Sequence, residues 1–538
     1  MLRGSVPSTQ SRAQHSFSIA PQIGINRSKF NRSFSHKTGF NAGYLIPIFA
    51  DEMLPGDTFK LSMHAFARMN TPLFPIMDNL YLESFFFAVP NRLLWSNWEK
   101  FCGAQDDPGD STSYTIPYTV APAVTGVQTG ELCDYFGIPI GIPNLQFNSL
   151  PLRAYNLIWN EWFRSEVLQN SVAKNLGNGP DSYSDYTLLR RGKRHDYFTS
   201  CLPWPCKPVD TNIFDAGTVA TIKGNSNPTY VKVGAGTDQA LQTAATSNVL
   251  FQSGAALGAG GNTLFSTDPS KVGLVAVLDT AAVGTINDLR LAFQTQRYFE
   301  KNARAGTRYT EILKSHFIVD SPDARLQRPE YLGGSTTPVI VNPVAQTSAT
   351  SGTNALGDLA AYGVCAPMNH GFTYSAVEHM TVIGLVMVRA DLNYQYGLDR
   401  GLWSRRTLFD YYWPTLAHLG EQSVLNKEIY AQGTSDDDLV FGYQERYAEY
   451  RYKPSLVTGV FRSQATGTFD SWHLAQSFGS LPLLNSTFIQ ENPPMSRIMA
   501  VSSELGTNVP DFIFDAFFKY HCVRPMPVRA VPGMADHF

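Results

Sequence analysis

The chain has 538 residues and a mass of 59.5 kDa, with 16% charged and 12% aromatic side chains, 33 prolines and 42 glycines. That profile excludes a disordered, collagen-like or coiled-coil chain, and charge this sparse points to surface hidden against other subunits. The net charge of −3 is unevenly placed: residues 1–50 carry Arg3, Arg12, Arg27, Lys29, Arg32 and Lys37 and no acid, so this arm holds +6 and the remainder −9.

A basic arm on an acidic body fits a polyanion met by the arm alone or, in the plainer reading, a solvated tail. Phe17, Phe30, Phe34 and Phe40 are interleaved with its cations. Bases stack on aromatic rings while Arg and Lys meet phosphates, so single-stranded nucleic acid is the expected partner. The first residues lack the apolar run of a secretory signal, and no stretch of eighteen apolar residues predicts insertion into a membrane. Synthesis is expected to finish in the cytoplasm.

Beyond the arm, Phe59, Leu61, Met63 and Ala65 alternate with Lys60, Ser62 and His64, the period of a half-buried strand. Residues 80–89 read as a second strand ending at Pro90, from which Leu94, Trp98 and Phe101 predict a helix over 90–101. Another helix is expected after Ser149 and Pro151, with Leu152, Tyr155, Trp159, Trp162 and Phe163 as its apolar stripe. Thr285 and Asp288 have capping-box spacing for a third, its buried face being Leu289, Ala292 and Phe293.

Later strands are expected at 338–341, 381–389, 456–461, 497–501 and 511–523. In the last, Phe512, Phe514, Ala516, Phe518, Tyr520 and Cys522 share one face, and Asp515, Lys519 and His521 the other. Between Lys207 and Thr285 the composition turns to Gly, Ala, Ser, Thr and Asn, an exposed β-rich insertion that needs neighbours to bury its face. Strands separated by long connections, with helices confined to those connections, predict a mainly β double-sheet jelly roll rather than a parallel α/β sheet.

Enzyme signatures are missing: the sequence has no phosphate loop, nucleophile elbow or zinc helix, and no catalytic residue is assigned. The Gly-rich run at 254–261 lacks the strand and helix that a dinucleotide site needs. Asp436, Asp437 and Asp438 read as a solvated acidic turn more readily than a calcium site, and Arg194, His195 and Asp196 as a hydrogen-bonded turn more readily than a charge relay. RYAEYRYK at 446–453 is either a second nucleic-acid contact or a salt-linked strand at a subunit contact. Cys102, Cys133, Cys201, Cys206, Cys365 and Cys522 show no CxxC or zinc-finger spacing and read as reduced structural thiols, so no metal or cofactor is expected.

Longer strings carry a resemblance. FFFAVPNRLLWSNWEKFCG at 85–103, LPLRAYNLIWNEWFR at 150–164, KRHDYFTSCLPWP at 193–205 and INDLRLAFQTQRYFEKNARAGTRYTEILKSHF at 286–317 are joined by SPDARLQRPEYLGG at 321–334 and RPMPVRAVPGMADHF at 524–538. With these the chain resembles, nearly end to end, the major capsid proteins of gokushoviruses, small icosahedral single-stranded DNA bacteriophages of the Microviridae.

The resemblance implies a single eight-stranded viral jelly roll with long loop insertions containing a few helices. Sixty copies would form a T=1 shell around circular single-stranded DNA, assembled in the bacterial host cytoplasm and carried in the virion. It divides the chain into the arm at 1–50, jelly-roll body at 51–208, a surface insertion forming a threefold protrusion at 209–285, and the rest of the body at 286–538. Implied partners are the packaged DNA, a small basic DNA-packaging protein, internal scaffolding and DNA pilot proteins, and a host cell-surface receptor met by the insertion. The nucleic-acid contacts expected of the arm are Arg3, Arg12, Arg27, Lys29, Arg32 and Lys37, helped by Phe17, Phe30 or Phe34. The competing reading is a carbohydrate-binding or glycan-active β-sandwich protein, a monomer or small oligomer with paired carboxylates in a cleft.

Overall fold

Apolar alternation with a period of two builds most of the body, because it gives each strand one face that leaves water and one that stays wet. The computed structural model describes residues 26–205, 286–350, 352, 355–501 and 509–529, and the backbone of six short strands between 221 and 277. The chain divides into two compact units, one of Met1–Pro203 with Val319–Phe538 and one of Trp204–Ile318.

Ten strands of the first unit form one curled antiparallel sheet. In chain order they are β1 (Ser28–Asn31), β2 (Phe34–Phe40), β3 (Ile46–Met53), β4 (Thr58–Met69), β5 (Leu80–Pro90), β6 (Glu330–Ala345), β7 (Leu359–Cys365), β8 (His370–Ser375), β9 (Met380–Ala390) and β10 (Phe512–Arg524). β10 pairs with β4 along its length, from Phe512 opposite Met69 to Val523 opposite Thr58, and its other edge takes β2 and β1. The far edge of β4 takes β8 and, at its end, β7. β6 then joins the two halves, pairing through residues 340–345 with β7 and through 330–339 with β5, beyond which lie β9 and β3.

β9 is buried on both faces, so its sequence shows no alternation. Its Met380, Val382, Val386 and Val388 enter the core between the curled halves, with Phe86, Phe512, Phe514 and Phe518. Ile383, Leu385 and Met387 point the other way, against a helix. Full burial of each such side chain contributes about 1.5–3 kcal/mol. Gly384 sits where a Cβ would lie 2.7 Å from the Phe86 ring and 2.9 Å from Cβ of Phe49, so this position has no room for a side chain.

That helix is α1 (Leu150–Ile158), which Pro151 opens and which continues as a π turn over Trp159–Phe163. Leu152, Tyr155, Trp159 and Phe163 are buried as their spacing predicts, and the Tyr155 hydroxyl donates to the Leu45 carbonyl at 2.9 Å. Arg153 grips Asp181 through two bonds of 2.7 Å.

Three expectations fail locally. Residues 90–101 form two separate turns, Asn91–Leu93 and Trp98–Phe101, because Ser96 donates through both N and Oγ to the Leu176 carbonyl while Trp95 and Asn97 bond Asn178. Residues 456–461 hold no strand but a 3₁₀ turn at Gly459–Phe461, where Gly459 has φ +66°. Residues 497–501 instead begin within the helical turn Met495–Ile498, which comes after Pro493 and Pro494 and is fixed by Arg497 donating to the carbonyls of His473 and Ala475.

The second unit contains two small antiparallel sheets, Tyr230–Val233, Asp238–Thr243, Val249–Phe251 and Thr263–Phe265 in one and Thr221–Gly224 with Leu274–Val277 in the other. It also contains α2 (Ile286–Ala305) and α3 (Tyr309–Phe317). The expected buried face of α2 is a correction: Leu289 and Phe293 are 37% and 62% exposed, whereas Asn302 and Ala303 are buried. His316 of α3 bonds Asn302 at 2.6 Å, so the contact with α3 lies at the far end of α2 from Leu289. Thr285 and the Asp288 side chain fall outside the described residues.

Candidate nucleic-acid interface and subunit surfaces

The segment read as a basic arm belongs to the sheet from Ser28 onward. Its apolar residues explain this. Phe40 is buried against Phe512 and Phe514, and Phe34 stacks on Phe518 with ring centroids 5.0 Å apart. Phe34 is therefore already engaged in packing.

The arm's cations are held to different degrees. Arg27 donates to the Gly56 carbonyl and, at 2.9 Å, to Thr58 Oγ1. Lys29 is exposed on β1, opposite Val523. Arg32 is ion-paired with Asp51 and lies over the Tyr520 ring, whose hydroxyl donates to the same Asp51 at 2.7 Å. Burial first, then the charge of Asp51 beside it, pushes the Tyr520 phenol pKa up. Lys37 stands 3.7 Å from Asp515 and keeps 74% of its side chain in water. The structure thus brings Lys29 and Lys37 to one edge of the sheet and turns Arg27 and Arg32 to intramolecular work. Arg3, Arg12 and Phe17 lie outside the described residues.

The other charged motifs are structural. Asp196 accepts from Tyr394 and from the backbone of Phe198 and Thr199, Arg194 pairs with Glu83, and His195 is exposed. Asp437 accepts from the backbone of Gln432 and Gly433, and Asp438 pairs with Lys427 at 2.6 Å. Among the described residues no group of three His, Cys, Asp or Glu is placed to hold a metal ion. RYAEYRYK is a salt-linked turn rather than a strand, with Arg451 on Glu445 and Lys453 on Asp399. The Gly-rich run at 254–261 and Cys206 fall outside the described residues. Burial pushes the thiols of Cys133 and Cys522 up to about 11 and that of Cys365 to about 12, keeping them protonated.

Two features escape a reading of the sequence alone. Glu83, inside the apolar run of β5, accepts from Arg191, Arg194 and Arg389 with its side chain 2% exposed. Burial would raise its pKa, but the hydrogen bond from Arg389 and the three guanidinium charges outweigh it and hold the carboxyl below the ordinary value. A lone acid in so apolar a strand is the signal that such a partner set exists. The second feature is a surface at 402–413, where Leu402, Trp403, Leu408 and Phe409 stand largely exposed around Arg405, itself 4.1 Å over the Tyr450 ring. Exposed apolar side chains gathered in this way are surface suited to being covered by another protein.

Comparison with known proteins gives a consistent result. Residues 18–534 match the family described as capsid protein (F protein). The chain is 46% identical over 536 residues to capsid protein VP1 of Bdellovibrio phage phiMH2K, covering 98% of each protein. It is 44% identical to capsid protein VP1 of Chlamydia phage 1, covering 96% of this chain and 97% of that one. With capsid protein VP1 of Spiroplasma virus 4 the identity is 35%, over 97% of both.

Proposed function

Because the chain belongs to the phage capsid protein (F protein) family, and so is a structural protein of a virion and not an enzyme, we propose that sixty copies build a T=1 shell around circular single-stranded DNA. The observation that carries this is the match over residues 18–534, alongside relatives of nearly equal length. The exposed apolar surface at 402–413 supports it, since a shell covers such surface. We take the curled sheet as a single viral jelly roll of two four-stranded halves, β2-β10-β4-β8 and β6-β5-β9-β3, with β1 added at the edge beside β2 and β7 joining β4 to β6.

In the proposed shell the arm faces inward and tethers the genome through Arg3, Arg12, Lys29 and Lys37, joined by Arg27 and Arg32 as they exchange their contacts with Gly56, Thr58 and Asp51 for phosphates. Six positive charges neutralise only a handful of nucleotides, so most countercharge comes from a small basic packaging protein. Internal scaffolding and DNA pilot proteins complete the assembly in the host cytoplasm. Residues 209–285 project outward, meet two symmetry mates and contact the host receptor. Their Gly- and Ala-rich composition supports this, because such a segment buries too little apolar area alone.

Electron microscopy and sedimentation of the purified protein, with partner proteins supplied, test the reading. Icosahedral particles of sixty subunits are expected. A chain that stays a monomer or small oligomer would overturn the shell and return the carbohydrate-binding alternative, and a larger shell would overturn T=1.

A further inference from the structure

The outward face of the β2, β10 and β4 ribbon carries a pattern that neither the core nor the arm explains. Residues directly opposite on antiparallel strands share a face. Lys37 lies opposite Asp515, Asp515 opposite Phe66, Phe517 opposite His64, Ile513 opposite Arg68, Lys519 opposite Ser62 and His521 opposite Lys60. The intervening residues, Phe514, Ala516 and Phe518 among them, fill the core. Lys37, Lys60, Arg68 and Lys519 therefore stand in water on one sheet surface with the rings of Phe66 and Phe517, which are 51% and 49% exposed. Lys29 on β1 extends the row. At these outward positions Asp515 is the one carboxylate.

The two rings are diagonal neighbours on adjacent strands, a relationship that places backbones about 7–8 Å apart. Both rings stand exposed on the one outward face, with Arg68 to one side of them and Lys60 and Lys519 to the other. We propose that this face is a binding platform for a single-stranded polynucleotide, with bases on Phe66 and Phe517 and phosphates on Lys60, Arg68 and Lys519. Charge complementarity selects this occupant. A second copy would bring the same excess of cations against itself, and a duplex presents no free base faces to the rings. The platform rests on the reading that the shell encloses single-stranded DNA, but it does not depend on the arm.

The test is fluorescence anisotropy of a fluorescein-labelled oligothymidylate titrated with the purified protein over a range of salt. Phe66→Ala with Phe517→Ala should weaken binding about tenfold or more at fixed salt while leaving the salt dependence near that of the unsubstituted chain. Lys60→Gln, Arg68→Gln and Lys519→Gln together should lower the slope of log affinity against log salt by about 2. Phe66→Trp should retain affinity, and Phe66→Leu with Phe517→Leu, which keeps apolar bulk without a ring, should lose it even if the alanine pair fails to fold. Glutamine at Arg3, Arg12, Arg27 and Arg32, none of which is part of this platform, tests the arm separately. Weakening by the arm variant alone would sink the platform and leave the arm, whereas weakening by the face variants alone would do the reverse. Failure of the unsubstituted chain to bind would overturn the platform, while the DNA content of purified particles reports independently on what the shell encloses.

Discussion

Arg389 donates through Nε to Oε1 of Glu83 at 2.7 Å between the neighbouring strands β9 and β5, and both side chains are less than a tenth exposed. Arg191 and Arg194 reach the same carboxylate at 2.5 Å, so one acid ties residues 191–194 to the sheet. Glu83→Gln should destabilise the subunit by about 3–5 kcal/mol, because it takes from Arg389 and Arg191 the buried carboxylate they share and leaves Arg389 only Asp391, at 3.2 Å and 43% exposed. Glu83→Leu combined with Arg389→Met should recover part of that loss in urea denaturation, since Arg389 is then no longer stranded, and adding Arg191→Met, which removes the other mostly buried guanidinium, should recover more.

Acid should weaken the subunit in two stages. His370 bonds Ser84 at 2.8 Å and Thr337 at 3.0 Å, and burial holds its pKa below the ordinary 6.5. The unfolded chain takes up this proton first, so stability present above about pH 6.5 is lost as pH falls from there to the lower folded value. Glu83, also lowered, contributes stability above the ordinary 4.5 that is lost as pH falls below it. Melting temperatures measured from about pH 7 to pH 5 should drop for the natural chain and drop less for His370→Gln.

Gly384→Val should cost about 1–3 kcal/mol or prevent folding, through collision with Phe86 and Phe49. A paired Phe86→Leu substitution that restores folding would identify overpacking as the cause, and no recovery would argue against it.

Replacing the arm's six cations with glutamine should lower the DNA content of assembled particles and the salt sensitivity of packaging. Arg32→Gln should in addition loosen the edge of the sheet by about 1 kcal/mol or less, because its partner Asp51 is only partly buried. Unchanged DNA content in intact shells would remove the tether.

How much of this the residues disclose depends on what each strand faces. β10 is legible because one face is core and one is water, so Phe512 to Cys522 alternate cleanly. β9 is recognisable as a strand, but its two buried faces leave no pattern to say which residues meet the helix. The helix expected at 90–101 has a sound apolar stripe and fails because a distant loop at 176–178 captures its middle. On α2, Leu289 and Phe293 have helical spacing, but spacing cannot say whether anything covers them. The polar faces of β4 and β10 are each visible in the sequence. Their union into one basic, aromatic surface is not, because it follows from the register of two strands more than 440 residues apart.

That same pairing sets the timetable of biosynthesis. β4 cannot acquire its long partner until β10 has been made, and β1 and β2 have no edge to join before then. At about 5–20 residues per second the ribosome needs roughly 25–100 s to travel from β2 to β10. Throughout that interval Phe34, Phe40, Phe59 and Met63 belong to a nascent chain with an open strand edge. Many copies made at once are therefore open to strand exchange, and anything that shields β4 during translation should raise the yield of assembled subunits.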